Sequence, residues 1–179
     1  MRRNACCFTG HRMVSNADAD VLRTALREEI SRLYVQGVTE FYAGGAQGFD
    51  MLAEEAVLEM RESLPIRLHL ILPCQDQDAR WPQSLRLRFA RIQEAADTVR
   101  YITDVYDASC MHLRNNALVE ASAYCICYMQ RERGGTVYTV RRARRAGLEI
   151  IHLMTTEPEQ LRLTLPEDMT YTEEIPPEV

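Results

Sequence analysis

Short apolar runs alternate with segments of helical periodicity along most of the chain. In the helical segments apolar residues recur every three or four positions, as at Leu22, Leu26 and Ile30, and this spacing is typical of an amphipathic helix. Short apolar runs bounded by glycine or proline are typical of buried strands. The pattern predicts six strands, at residues 5–9, 39–43, 67–72, 98–102, 124–129 and 148–154.

The helices predicted between these strands have recognisable boundaries. Gly37 stands at the end of the first helix, where glycine is common, and Pro65 ends the second. The third follows Pro82, and the last two span residues 111–121 and 136–146. Strands that alternate with helices form parallel βαβ units. The sequence therefore predicts an α/β fold, a Rossmann-like three-layer sandwich with a mostly parallel, doubly wound sheet of about six strands.

Acidic residues are concentrated at the C-terminal end of the chain. The whole chain has 26 acidic and 21 basic residues, a formal net charge of −5. Residues 157–179 hold seven acids and one arginine, so residues 1–156 carry 20 bases and 19 acids, a net charge of +1. We expect one domain at residues 1–156 and an acidic, proline-containing tail at residues 157–179. The nearly neutral domain argues against nucleic acid as a partner.

Composition places the chain among ordinary globular proteins, with 46% hydrophobic and 26% charged residues. The apolar runs fall far short of the ~20 residues that span a membrane, and the first residues lack the apolar segment of a signal peptide. The six cysteines form neither a C-x-x-C pair nor the spacing of a zinc site. We expect a cytoplasmic protein with buried thiols, no membrane association and no metal site. A homo-oligomer is left open.

Every basic residue except histidine is an arginine, because the chain contains no lysine. Without lysine there can be no Walker-type phosphate loop and no Schiff base. Any fixed positive charge in a binding site must then be a guanidinium, which suits bidentate contacts to carboxylate or phosphate.

The loop after the first predicted strand contains Gly10, His11 and Arg12. Ligands of this fold bind outside the carboxyl ends of the strands, so each loop at that edge is a candidate. Gly10 lets the backbone approach a ligand, and Arg12 can bind a phosphate or carboxylate. His11 can act as a general acid or base, or it can form only local hydrogen bonds.

A glycine-rich loop with Gly44, Gly45 and Gly48 follows the second predicted strand. Such a loop before a helix presents backbone N–H groups to an anion, although it is not the G-x-G-x-x-G dinucleotide fingerprint. Asp50 and Glu54 follow one helical turn apart and project from one face. They can accept ribose hydroxyls, act as acid and base, or only complement the helix dipole.

Two further loops contain candidate residues. Trp81 can stack on a nucleobase, or it can simply pack before the helix that follows it. Gly134 and Gly135 open the last predicted helix, and Thr136 is the expected N-cap. Two diglycine loops, each between an apolar run and a helix, favour an elongated phosphate-bearing ligand that lies across the strand ends.

Arginines elsewhere complete the candidate set. Arg114 stands in a helical stretch and can point a guanidinium into the same crevice. Four arginines, at positions 141, 142, 144 and 145, stand at the end of the last helix. Cations there complement the helix dipole, and nucleic-acid binding is the alternative.

Motifs occur in a characteristic order at residues 7–12 (CFTGHR), 44–50 (GGAQGFD), 72–74 (LPC), 114–115 (RN) and 134–136 (GGT). This ordered set resembles the YpsA-like branch of the SLOG superfamily over about residues 5–154. The resemblance implies a Rossmann-like fold that binds nucleotides or nucleotide-derived ligands such as ADP-ribose. It also implies kinship with the DNA-processing DprA/Smf proteins and the LOG phosphoribohydrolases.

The chain departs from the LOG pattern P-G-G-x-G-T-x-x-E, in which the glutamate acts near the ribose. Thr139 stands at the position of that glutamate, three residues after Thr136, and threonine supplies no carboxylate. Hydrolysis by the LOG route would need Asp50 or Glu54 as a substitute.

The leading hypothesis is therefore the binding of a nucleotide or nucleotide-derived ligand, similar to ADP-ribose, NAD or AMP, in a sensing or regulatory role. The sequence identifies no certain cofactor beyond this ligand. Two alternatives are an enzyme that cleaves the N-glycosidic bond of a nucleotide, with Asp50 or Glu54 as its carboxylate, and a single-stranded DNA-binding protein. The residues expected at the ligand are Gly10, His11, Arg12, Gly44, Gly45, Gly48, Asp50, Arg114, Gly134, Gly135 and Thr136.

Overall fold

The computed structural model of the chain describes residues 4–130 and 134–154. These residues form the strands β1 (Ala5–Gly10), β2 (Glu40–Ala43), β3 (Arg67–Leu72), β4 (Thr98–Tyr101), β5 (Tyr124–Tyr128) and β6 (Glu149–His152). The helices are α1 (Asn16–Val35), α2 (Phe49–Met60), α3 (Gln83–Ala95), α4 (Cys110–Ala121) and α5 (Gly135–Arg145). The predicted α/β fold is confirmed, and each predicted strand is present with its ends shifted by at most two residues.

The strands of the described sheet are all parallel and lie in the order β4-β3-β2-β1-β5-β6. The chain thus builds the sheet outward from β1 in one direction, then returns to add β5 on the other side of β1. This is the doubly wound arrangement, and its ligands bind where the strand order reverses. Here that switch point lies between the carboxyl ends of β1 and β5, where Gly10 pairs with Tyr128.

One face of the sheet is covered by α1, α2 and α3. The helix α1 begins at Ser15, whose hydroxyl accepts a hydrogen bond of 3.1 Å from the N–H of Asp18. Its apolar positions then recur at helical spacing and are buried. They pack on sheet residues such as Phe8 and Phe41, whose rings stack at 5.9 Å.

The opposite face is covered by α4 and α5, which pack over β1 and β5. Three cysteines of these strands belong to this second core, together with Leu118 of α4 and Val140 of α5. Beside α4, towards β3 and β4, the same face carries a groove of about 340 Å³. Its floor is polar: His69 lies 2.6 Å from Glu40 and 2.8 Å from Thr98.

The structure settles the role of Trp81, which the sequence left open, and corrects the predicted N-cap of the last helix. Trp81 packs against Phe89 with ring centroids 5.2 Å apart, so it serves as a packing anchor for α3. Thr136 is not the N-cap of the last helix, because Gly134 is the N-cap and Thr136 is buried inside the first turn. Gly134 has a φ of +101°, a conformation that residues with a Cβ rarely adopt.

Part of the chain lies outside the described residues, including the predicted acidic tail at residues 157–179. Among the described helices, none is both long and apolar enough to cross a membrane.

Candidate functional site

Three of the loops singled out from the sequence meet at the switch point. The strands β2, β1 and β5 are adjacent and parallel, so their carboxyl ends lie at one edge of the sheet. The N–H of Phe49, at the start of α2, donates to the carbonyl of His11 at 3.1 Å, and the N–H of His11 donates to the carbonyl of Tyr128 at 3.3 Å. The loop after β1 is thus joined through the main chain to the start of α2 and to the end of β5.

Two glycines in these loops are required by close packing. A Cβ at Gly10 would overlap the ring of Phe49. A Cβ at Gly48, whose φ is +79°, would overlap the backbone of Arg12. These contacts hold the loop after β1 against the start of α2, so both glycines shape the site whether or not they contact a ligand.

Tyr128, at the end of β5, forms the base of the switch point. Its ring stacks on Phe49 at 5.8 Å, and the ring of His11 meets its ring nearly edge-on at 6.1 Å. Its hydroxyl donates to Asp18 Oδ2 at 3.2 Å, and the side-chain amide of Gln130 donates to the same oxygen at 3.3 Å. The start of α1 is therefore bound to the end of β5.

Asp18 was missed by the sequence analysis as a site residue. Its spacing from Ser15 is that of a capping box, which signals the helix start but not the contact with β5. A hydrogen bond with Ser15, followed by those from Tyr128 and Gln130, lowers the pKa of the Asp18 carboxyl. The start of α1 consequently carries a stable negative charge.

The carboxyl groups of Asp50 and Glu54 fold back onto the glycine-rich loop. The N–H of Gly45 donates to Glu54 Oε1 at 2.9 Å, and the N–H of Ala46 donates to Asp50 Oδ2 at 3.3 Å. Glu54 is fully buried and Asp50 is 4% exposed. In this arrangement the loop amides of residues 45 and 46 bind the protein's own acids.

Burial raises the pKa of both carboxyl groups. For Glu54 the rise is large, and the nearby charge of Asp50 adds to it. For Asp50 the charge of Arg114 opposes the effect of burial. The pair therefore favours a state in which Asp50 carries the negative charge and Glu54 holds a proton.

Arg114 projects from α4 into the same cluster. Its Nη1 lies 3.5 Å from Asp50 Oδ2, and the arginine is 7% exposed. A Cβ at Gly44 would overlap its guanidinium, so the Arg114 side chain fits there only because residue 44 has no side chain. The charge of Arg12 acts on both Asp50 and Arg114. The structure thus brings Arg12, Asp50 and Arg114 together, and their contact with a ligand stays a prediction.

Two polar atoms of this cluster are buried without a hydrogen-bond partner among the described residues. They are Arg114 Nε and Glu54 Oε2. A buried polar atom without a partner is costly, so a further hydrogen bond at either atom would stabilise the cluster.

The start of α5 differs from the starts of α1 and α2. Gly134 and Gly135 are exposed, and no described atom beyond their chain neighbours lies within 4 Å of a Cβ built on either one. Among the described residues, no side chain caps this helix and no acid stands in its first turn. The first N–H groups of a helix lack partners within it, so α5 presents amide donors at the switch point. The contacts of Gly134, Gly135 and Thr136 with a ligand stay predictions.

The arrangement suits the binding of an anion more directly than a reaction. Arg12 and the glycines at the start of α5 are exposed, while the carboxyl of Glu54 is fully buried. In the described part of the chain, no three His, Cys, Asp or Glu side chains are grouped so that they could hold a metal ion.

Curated relatives align over most of the chain. The UPF0398 protein BH1768 of Halalkalibacterium halodurans is 27% identical over 154 residues, covering 84% of this chain and 78% of the relative. The UPF0398 protein OB1025 of Oceanobacillus iheyensis is 22% identical over 117 residues, 64% of either chain.

Solved structures of DNA processing protein A share the fold. The Helicobacter pylori protein, described for its single-stranded DNA binding mode, superimposes with a TM-score of 0.61 at 19% identity, over 84% of this chain and 65% of its own. DprA of Streptococcus pneumoniae gives a TM-score of 0.61 at 15% identity, over 83% of this chain and 49% of its own. The chain thus spans about half to two thirds of the length of these proteins.

This likeness corrects one expectation from the sequence. The net charge of residues 1–156 argued against nucleic acid as a partner, yet a protein with the same fold binds single-stranded DNA. The expectation is wrong because binding depends on the groups at one surface, and a net charge averages over all of them.

The family assignment follows from the match over nearly the whole described chain. The YpsA family model, described as the YspA SLOG family, matches residues 7–155. This range contains β2 to β6, all of β1 but its first two residues, and every loop of the candidate site. The resemblance seen in the sequence motifs is confirmed, and the chain belongs to the YspA SLOG family.

Proposed function

We propose that the protein binds a nucleotide or nucleotide-derived ligand at the switch point, with a phosphate at the N-terminus of α5. The observation that carries this proposal is the contrast between the helix starts at the site. The start of α1 carries Ser15 and Asp18, and that of α2 carries Asp50 with Glu54 one turn later. The start of α5 carries exposed glycines and no described acid.

This difference in charge favours the start of α5 as the phosphate site. A phosphate at α1 or α2 would face a carboxyl group, whereas at α5 it would meet N–H donors and the positive end of the helix dipole. Arg12, in the adjacent loop after β1, supplies positive charge nearby. A sensing or regulatory role follows from a site arranged for binding.

We also propose that the protein acts in the cytoplasm. All six cysteines are free and buried, and unpaired thiols are typical of a reducing compartment.

Isothermal titration calorimetry with ADP-ribose, NAD, AMP and cyclic nucleotides tests the binding proposal. Gly135→Asp places a carboxylate in the first turn of α5 and should weaken binding by about tenfold or more, since its negative charge repels the phosphate. Gly135→Ala is the matched control, because a Cβ there meets open space among the described residues, and it should bind like the wild type. Absence of wild-type binding at millimolar concentrations contradicts the proposal.

Single-stranded DNA binding is the second candidate, favoured by the shared fold with the Helicobacter pylori protein. Fluorescence anisotropy with a labelled oligonucleotide at several salt concentrations tests it. Binding through phosphate contacts weakens steeply and linearly on a logarithmic salt scale. If the oligonucleotide does not bind even at low salt, this candidate is excluded.

Cleavage of an N-glycosidic bond remains a hypothesis that rests on Asp50 or Glu54. Chromatography of incubated nucleotides reveals base release. Release that persists in both Asp50→Asn and Glu54→Gln rules out this mechanism.

A further inference from the structure

We propose that Glu40, His69 and Thr98 form a second functional site, which hydrolyses esters of small carboxylic acids. The three residues belong to the adjacent strands β2, β3 and β4 and lie towards the amino ends of these strands. The switch point lies at the opposite, carboxyl ends. The inference is therefore independent of the ligand-binding function proposed above.

The side chains of these three strands form a chain of short hydrogen bonds. His69 Nε2 lies 2.6 Å from Glu40 Oε2, and His69 Nδ1 lies 2.8 Å from Thr98 Oγ1. The side chains of His69 and Glu40 are only 11% and 12% exposed, whereas Thr98 is exposed. The chain thus runs from a shielded carboxylate to a hydroxyl group that a solute can reach.

The partners of His69 fix the direction of both hydrogen bonds. Burial alone would raise the pKa of Glu40, but hydrogen bonds from Arg67 and His69 bring it below its usual value, so the carboxyl group is ionised at neutral pH. An ionised carboxylate only accepts hydrogen bonds, so Nε2 of the neutral ring carries the proton and Nδ1 is an acceptor. The Thr98 hydroxyl then donates to Nδ1. Nucleophile, base and orienting acid are arranged in this order in a hydrolytic triad.

The Thr98 side chain lines the groove of about 340 Å³ beside α4, together with His69 and Arg100. The wall of the groove on α4 includes Ala117 and Ala121, whose short side chains leave the space beside the sheet open. The volume is at the low end of the range for small-molecule sites. The groove therefore suits an acyl group of a few carbon atoms.

Arg100 supplies positive charge beside the hydroxyl group. Side chains two positions apart on a strand point to the same face, so Arg100 and Thr98 share one face of β4 at a spacing of roughly 7 Å. An arginine side chain can span this distance and donate to the oxygen of a carbonyl group that is placed at Thr98. Such a donor stabilises the negative charge that develops on this oxygen during attack.

The reaction follows from the roles of these groups. Thr98 Oγ1 bonds to the carbonyl carbon of the ester while its proton moves to His69 Nδ1, and Glu40 stabilises the resulting imidazolium. The bond to the alcohol oxygen then breaks, the alcohol leaves with the proton from Nδ1, and the acyl group remains on Thr98. Water attacks this acyl group and gives a proton to Nδ1. The carboxylic acid is released, and the proton on Nδ1 returns to Oγ1.

Hydrolysis of p-nitrophenyl acetate and p-nitrophenyl butyrate, followed by the absorbance of released p-nitrophenolate, tests the inference. Thr98→Val keeps the shape of the side chain but removes the nucleophile, and it should lower kcat/KM by about a hundredfold or more. Thr98→Ser keeps a hydroxyl group and should stay well above Thr98→Val in activity. Thr24→Val, at an exposed position in α1, is the matched control and should leave the activity unchanged.

Labelling with a fluorophosphonate separates a catalytic role of Thr98 from a structural one. An activated hydroxyl forms a bond to the phosphorus of this reagent and releases fluoride, so mass spectrometry of the wild type should find the label on Thr98. Urea denaturation verifies that Thr98→Val is folded. The inference is overturned if the wild type cleaves neither ester faster than folded Thr98→Val, or if Thr98 of the wild type is not labelled.

Discussion

Glu54 shows how one buried carboxyl group shapes the candidate site. Its Oε1 accepts the N–H of Gly45, nine residues earlier in the chain, and this bond fixes the course of the glycine-rich loop. Burial and the neighbouring Asp50 raise its pKa, so the carboxyl can keep this hydrogen bond while protonated. The conformation of the glycine-rich loop is therefore coupled to the protonation state of Glu54.

The first prediction concerns the pH dependence of stability. Above the usual Glu pKa of 4.5, the unfolded chain releases the Glu54 proton, whereas the folded chain retains it. The stabilising contribution is full below that pH and is lost as the pH rises towards the raised pKa. Glu54→Gln carries no ionisable group at this position and so does not lose stability in this way. As the pH rises above 4.5, the unfolding free energy of the variant minus that of the wild type should therefore increase by up to about 1.4 kcal/mol for each pH unit.

Urea denaturation at about pH 5 and about pH 8 measures this difference. Glu62→Gln, an exposed acid beyond the end of α2, is the control and should follow the wild type. Parallel pH profiles for wild type and Glu54→Gln would show that Glu54 is ionised in the folded protein.

The second prediction compares two glycines at the site. A Cβ at Gly44 would overlap the Arg114 guanidinium, whereas one at Gly135 meets no described atom within 4 Å. Gly44→Ala should lower the unfolding free energy by about 1–3 kcal/mol, because Arg114 must move. Gly135→Ala should leave it unchanged or raise it by up to about 1 kcal/mol, since alanine favours the helix. Equal effects in urea denaturation would contradict the packing at Gly44.

The sequence indicated which residues of the site are candidates, but not which of them contact each other. Glycines and acids after strands, and an arginine in a helical stretch, are visible in the sequence, so Asp50, Glu54 and Arg114 were all named as candidates. The contact of Asp50 with Arg114 joins residues 64 positions apart, and no local pattern records it. Asp18 was missed for the same reason, because its partner Tyr128 is 110 positions away.

At the scale of elements, α1 and α5 differ in how they begin. Ser15 caps α1 through a hydrogen bond to the Asp18 N–H, whereas α5 begins at Gly134 without a side-chain cap among the described residues. A capped start is stable but closed to an anion, and an uncapped start is open to one.

The third prediction tests the capped start. Ser15→Ala should lower the unfolding free energy by about 1 kcal/mol, because the N–H of Asp18 loses its acceptor. Ser31→Ala, at an exposed position inside α1, removes the same hydroxyl away from the cap and should cost less. Thermal or urea denaturation measures both, and equal losses would argue against the cap.

The helices and strands were largely predictable because their signals are local. Apolar runs and helical spacing need only neighbouring residues, and β3 was predicted with its observed bounds. The misplaced cap of α5 has a local cause as well. Threonine is a common N-cap, but the helix begins two residues earlier, at Gly134. The φ of Gly134 is +101°, a conformation that threonine rarely adopts.

At the scale of the whole molecule, the net charge does not describe how charge is distributed over the surface. Residues 1–156 are nearly neutral in sum, yet Arg12, Arg114 and the amides of α5 gather at one edge. Charge that is balanced over a molecule can still be separated between its surfaces. The distribution of charge between surfaces depends on the fold topology, which cannot be read from the amino-acid composition.

The fourth prediction concerns the division into a domain and a tail. Both hydrophobic cores draw on residues between Cys6 and Leu153. A chain ending at residue 156 should therefore unfold in one transition with the same midpoint and slope in urea as the full chain. A loss of more than about 1 kcal/mol would show that residues 157–179 contribute to the fold.

The burial of the cysteines has a consequence for handling and for measurement. All six are fully inaccessible, so the folded protein protects them from alkylating reagents. At Cys74 burial also raises the pKa to about 12, which keeps that thiol in its unreactive protonated form. Opening the chain removes both protections together. The rate of alkylation therefore measures the rate of spontaneous unfolding. In an oxidising buffer, refolding competes with the formation of disulfides that the native protein does not contain.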